Sequence, residues 1–215
     1  MYAEGHNGKR IHHDMNNTCF AKFIAMASEL FNQINYEKAY RKNRLDAANW
    51  VLTHPESLEE LLHYCFCEDQ RLATKATWVL EFVFRENLES MYPFLEYIFN
   101  NLPKAKGDGQ LRSFALLSEL LTIQYYKKKD ATLLPIFTSN HKEIMIECCF
   151  DWMITNQKVA CQARAMLALF HLGTEINWVH PELATIITSK LPQGSAGYKN
   201  RGKKVLEMIH KHQKK

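Results

Sequence analysis

Glycine and proline are scarce, with 8 and 6 in 215 residues, and leucine greatly outnumbers valine. Strands and tight hairpins draw on β-branched and turn-forming residues, so this shortage excludes a β-rich fold and leaves helix. No run of about 20 consecutive apolar residues occurs, which excludes a helical membrane span. The six cysteines (Cys19, Cys65, Cys67, Cys148, Cys149, Cys161) form no C-x-x-C pair, and Cys65/Cys67 and Cys148/Cys149 are spaced too closely to share a helical face. They read as reduced thiols of a cytosolic chain rather than as metal ligands or disulfides. Walker A, G-x-G-x-x-G, G-x-S-x-G, H-E-x-x-H, deaminase and kinase signatures are all missing, so no catalytic residue, metal or cofactor is assigned.

What is present is a folded composition, 47% hydrophobic and 23% charged, at a length that suits one domain. The formal net charge of +4 is uneven: the segment from Lys199 onward is strongly basic and the remainder slightly acidic. Lysines near a helix C-terminus complement its dipole, so this basic end reads first as a solubilising cap and only second as an anion-binding surface. Residues 1–18 are polar and rich in His and Asn, and are expected to be a flexible leader before a single domain over 19–215. The short apolar run 19–27 faintly resembles a signal peptide, but Lys22 interrupts it and the cytoplasm is the expected location.

The chain repeats itself. Ala48-Asn49-Trp50-Val51-Leu52, Ala76-Thr77-Trp78-Val79-Leu80, Ser113-Phe114-Ala115-Leu116-Leu117, Ala163-Arg164-Ala165-Met166-Leu167 and Gly202-Lys203-Lys204-Val205-Leu206 each open on a small residue and close on two apolar ones. In three copies the pattern widens to offsets 0, 4, 7, 8 and 11, as in Leu72, Ala76, Val79, Leu80 and Val83. That spacing is one face of an α-helix, and a small residue on it lets a second helix cross closely. Between these segments lie other amphipathic sets: 58–66, 91–102, 146–153 and 183–187. Each unit is therefore a helical hairpin, and the small residues recur at 28, 37, 50 and 39 positions, close to the ~40 of HEAT and armadillo units. The predicted fold is all-α, a HEAT-like α-solenoid (α-α superhelix, armadillo-type) of about five helical hairpins. Breaks are expected at Asn101-Leu102-Pro103, Lys106-Gly107-Asp108-Gly109, Gly173-Thr174 and Leu191-Pro192-Gln193-Gly194. His54-Pro55-Glu56 and His180-Pro181-Glu182 read as helix starts with proline at the first position, not as paired metal ligands.

Three blocks, Ala76–Val83, Phe150–Met153 and Gly173–Leu183, resemble a family of small bacterial HEAT-like proteins, whose members are often named adenylosuccinate lyase by automated transfer. True lyases of that superfamily are about twice this length and carry a flexible loop to which Gly194-Ser195-Ala196-Gly197-Tyr198-Lys199-Asn200 bears only partial likeness, lacking its Met-Pro step. That segment opens a repeat helix, so Ser195 reads as a cap. A more distant resemblance is to HEAT-like alkylpurine DNA glycosylases, which hold duplex DNA in a concave groove with Trp and Asp at its centre. It implies a basic stripe at Lys75, Arg112, Arg164 and Arg201, with Trp78, Glu81 and Trp152 as the aromatic and acidic residues of the same concave face. The glycosylase Trp-to-Asp spacing is not reproduced.

A stack of hairpins offers a long inner surface. The expected function is accordingly a non-catalytic scaffold that binds a protein partner on its concave face. The alternative is a nucleic-acid-binding module related to the glycosylases, and lyase activity is a third reading. No membrane partner is expected.

Overall fold

Leu72, Ala76, Val79, Leu80 and Val83 recur at helical spacing, and four of the five are buried or nearly so along one face of a 17-residue helix. The same logic holds through the chain. A computed structural model describes residues 28–214, among which every regular element is helical. The expected leader over 1–18, the signal-like run 19–27 and Cys19 lie outside the described residues.

Ten α-helices follow one another: α1 Glu29–Ile34, α2 Arg41–Thr53, α3 Leu58–Cys65, α4 Gln70–Glu86, α5 Leu95–Asn101, α6 Gly107–Thr122, α7 Ser139–Ile154, α8 Val159–Leu172, α9 Val179–Lys190 and α10 Ala196–Gln213. They form five consecutive hairpins. Even-numbered helices pack in series, α2 on α4, α4 on α6, α6 on α8 and α8 on α10, so they make one continuous layer. The odd-numbered helices lie over it, with α5 on α7 and α7 on α9. This is an all-α solenoid, and its buried seam holds Leu61, Leu62, Leu80, Phe84, Phe99, Phe114 and Leu121.

Helix starts follow from local chemistry. Asp69 accepts the amides of Arg71 and Leu72 at 2.9 and 3.1 Å to open α4, and Ser195 accepts that of Tyr198 to open α10. Thr138 and His141 form a reciprocal capping box at α7, in which His141 Nδ1 accepts the Thr138 amide. Its Nε2 lies 3.0 Å from Glu96 Oε2, so the ring ties α7 to α5.

The small residues sit where helices cross. Ala48, Ala76, Ser113 and Gly202 are buried, and a Cβ on Gly202 would approach Ile187 of α9 to 2.9 Å. In α8 the phase slips: Ala163 is half-buried and Ala165, two residues on, is fully buried.

Three expected boundaries shift. Residues 91–102 are not one helix: a 3₁₀ stretch over Leu88–Phe94, α5 and a second 3₁₀ turn over Leu102–Lys104 replace it, because Pro93 and Pro103 cannot donate within a regular helix. Gly107-Asp108-Gly109 belongs to the first turn of α6 rather than to a break, with Gly107 at φ 76°. Gly109 is required there because Thr74 and Trp78 of α4 press to within 3 Å of where a Cβ would stand. Helix α9 starts at Val179, so Pro181 is its third residue, where no intrahelical donor is needed. The unit with the 50-residue spacing is lengthened by a π-helical turn over Ile123–Lys128 and the turns that follow it.

Two histidines are held neutral inside this packing. Burial, then the charge of Lys127, pushes His171 down to about 4, and its Nε2 has no hydrogen-bond partner among the described residues. Burial also lowers His180, whose ring stacks on Phe170 and whose Nε2 lies 2.8 Å from the Phe170 carbonyl. The unfolded chain takes up a proton at His171 near pH 6.5 and the folded chain does not until about 4. Its contribution is thus complete above pH 6.5 and is lost as pH falls through that window. Urea titrations should show stability falling by about 1–2 kcal/mol from pH 7.5 to 5 through this residue, and His171→Gln should flatten that slope; an unchanged slope would contradict it.

Candidate interaction face

The even layer begins with two arginines one helical turn apart. Arg41 and Arg44 on α2 lie over rings of α4: their guanidinium carbons stand 5.6 and 5.8 Å from the Phe82 centroid, and Arg44 lies 5.3 Å from that of Trp78. The α4 positions follow at i, i+3 and i+4, so Trp78, Glu81 and Phe82 share one side of the helix. Trp78 Nε1 and Arg44 Nε are buried without a hydrogen-bond partner among the described residues.

Glu81 joins α4 to α6. Its Oε1 accepts from Arg85 Nη2 at 2.7 Å and its Oε2 from the Ser113 hydroxyl at 2.5 Å. Partial burial pushes this carboxyl up, but the bonds from Ser113 and Arg85 and the charges of Arg85 and Arg112 outweigh that and hold it below its usual range. One unit further on, Glu119 of α6 receives Arg164 of α8 at 2.9 Å.

The seven residues singled out by sequence therefore separate. Trp78, Glu81 and Arg112 come together at the α4–α6 junction. Arg164 is neutralised by Glu119, and Arg201 is half-buried on α10 with no ion pair among the described residues. Lys75 is 9% exposed: its Nζ donates to the Tyr36 carbonyl and lies over the Tyr36 ring. Trp152 lies on the odd-layer helix α7 and is 5% exposed, part of the core. Neither Lys75 nor Trp152 is presented to solvent. Sequence reasoning missed Arg41, Arg44 and Phe82; the R-x-x-R spacing was visible, but the aromatic shelf under it is made by another helix.

On the odd layer, a cleft of about 380 Å³ is lined by Ser139, Lys142, Glu143, Glu147, Glu175 and Trp178, among others. Lys142 donates to Glu175 Oε1 and Oε2 at 2.9 and 2.8 Å and to the Tyr125 hydroxyl at 3.0 Å. Burial lowers this amine's pKa, but Glu175 and Tyr125 overcome it and leave the ammonium more basic than usual. A lysine so protonated is unsuited to act as a nucleophile or base at neutral pH. Burial likewise pushes the thiols of Cys65, Cys148 and Cys161 up to about 12, far from thiolate chemistry. Among the described residues no group of three or more His, Cys, Asp and Glu is placed to hold a metal ion, and no helix is long and apolar enough to cross a membrane.

A family model described as a HEAT repeat domain matches residues 37–209. No curated protein and no solved structure matches the chain.

Proposed function

The chain belongs to the HEAT repeat domain family, and from that premise we propose that it is a non-catalytic scaffold that receives a protein partner along the even-numbered helices. HEAT repeats generally serve as protein-interaction scaffolds. The observation that carries the reading for this chain is the interleaving of both charges with aromatic surface: Arg41, Arg44, Arg85 and Arg112 stand among Glu81, Glu119, Trp78 and Phe82. Aromatic and arginine anchors with mixed charge suit a protein surface. A duplex backbone would want an unbroken cationic stripe, and Glu81, Glu119 and the engagement of Lys75 and Arg164 interrupt it. The lyase reading comes from the name transferred to the resembling family, and in the one segment with partial likeness to the lyase loop the Ser195 hydroxyl is committed to the Tyr198 amide as a helix cap.

Affinity capture from cell extract tests the proposal. The wild-type chain should retain a defined set of proteins that an Arg85→Glu/Arg112→Glu variant loses and a Glu143→Lys/Glu147→Lys variant on the odd layer keeps, all three with equal helical circular dichroism. Loss only with the odd-layer variant would contradict it. So would retention on duplex DNA that falls steeply between 50 and 200 mM salt, the signature of phosphate contacts, with values on the order of those expected for counterion release.

A further inference from the structure

We propose that Arg41 and Arg44, laid over Phe82 and Trp78, form a receptor for the side-chain carboxylates of an acidic segment of the partner protein. The assignment rests on the protein-binding reading of the even layer and adds the chemistry of what that layer recognises.

Three observations converge. First, both guanidinium groups are pre-positioned: each lies within 6 Å of the Phe82 centroid, and Arg44 also covers Trp78. Stacking occupies the flat face of a guanidinium and leaves its rim of N–H donors for an acceptor, the geometry a carboxylate matches with two parallel bonds. Second, neither arginine has a carboxylate partner among the described residues: none of the ion pairs there includes Arg41 or Arg44, and Arg44 Nε is without a hydrogen-bond partner. The carboxylate on the same side of α4, Glu81, is already taken by Arg85 and Ser113. Third, the two arginines stand at the α2 end of the even layer, apart from the basic α10, and the carboxylates between, Glu81 and Glu119, are each held by an arginine of their own. Two cations without an anionic partner among the described residues, beside the half-buried rings of Trp78 and Phe82, suit a short acidic stretch with an apolar neighbour.

The probe is a fluorescein-labelled hexaglutamate peptide, titrated with the full-length chain and followed by anisotropy at low salt. Saturable binding is expected, weakened at least tenfold in Arg41→Gln/Arg44→Gln. The Arg41→Lys/Arg44→Lys variant keeps both charges but not the planar stack, and should weaken binding severalfold. Lys211→Gln/Lys214→Gln, which thins the basic C-terminal helix, should leave it unchanged. No saturable binding, or equal binding by the wild type and the Gln variant at matched circular dichroism, would overturn the proposal. Tighter binding of a duplex DNA, lost in the same Gln variant, would overturn it in favour of nucleic acid. If hexaglutamate fails while Arg85→Glu/Arg112→Glu still abolishes protein capture, the carboxylate assignment falls alone. If capture fails as well, the reading of the even layer falls with it.

Discussion

Phe114→Ala should lower the melting temperature by roughly 10 °C, through a loss of about 3–5 kcal/mol. Phe114 is 1% exposed at the middle of α6, the helix that packs on both α4 and α8, and its ring stacks on Phe66 at 5.0 Å. In a stack of hairpins each unit is stabilised only by its neighbours, so a cavity in the central helix weakens contacts on both sides. Thermal unfolding followed by circular dichroism checks this, and a shift under about 2 °C would show that α6 is not the bridge between the halves.

A second effect should be asymmetric. Lys142 has only 6% of its side chain exposed, whereas its partner Glu175 has 47%. Removing the carboxylate strands an ammonium among Tyr125, Tyr126 and α7, whereas removing the lysine leaves a carboxylate that water can reach. Glu175→Ala should therefore cost about 2 kcal/mol, below the range for fully buried pairs because water screens this one, and Lys142→Met less than about 1 kcal/mol. Equal losses in chemical denaturation would mean that the pair is a surface ion pair of little weight.

Much of this architecture was legible because hairpin solenoids write their contacts locally. The small-then-apolar motif located α2, α4, α6, α8 and α10, and burial of Ala48, Ala76, Ser113 and Gly202 follows from the crossings it anticipates. The limits of that legibility are also physical. Pro93 and Pro103 divide a stretch whose apolar spacing alone is that of one helix, and the π-turn at Ile123–Lys128 has no periodicity of its own. Lys75 reads as a surface cation, yet its stem is buried and its amine is held by Tyr36, a residue 39 positions away. Separation along the chain also hides the arginine shelf: Arg41 and Arg44 look like solvated charges until α4 brings Trp78 and Phe82 beneath them. The ion pairs Glu81 and Glu119 make across or along helices turn an expected basic stripe into a mixed surface.

Site-specific photo-crosslinking in the cell tests most directly whether the even layer is the working surface. A benzophenone amino acid at position 86, an exposed site on α4, should crosslink to partner proteins, while the same group at position 178, on the exposed odd-layer tryptophan, should give none of those products. Crosslinks to protein from position 178 alone, or to nucleic acid from position 86, would contradict the account.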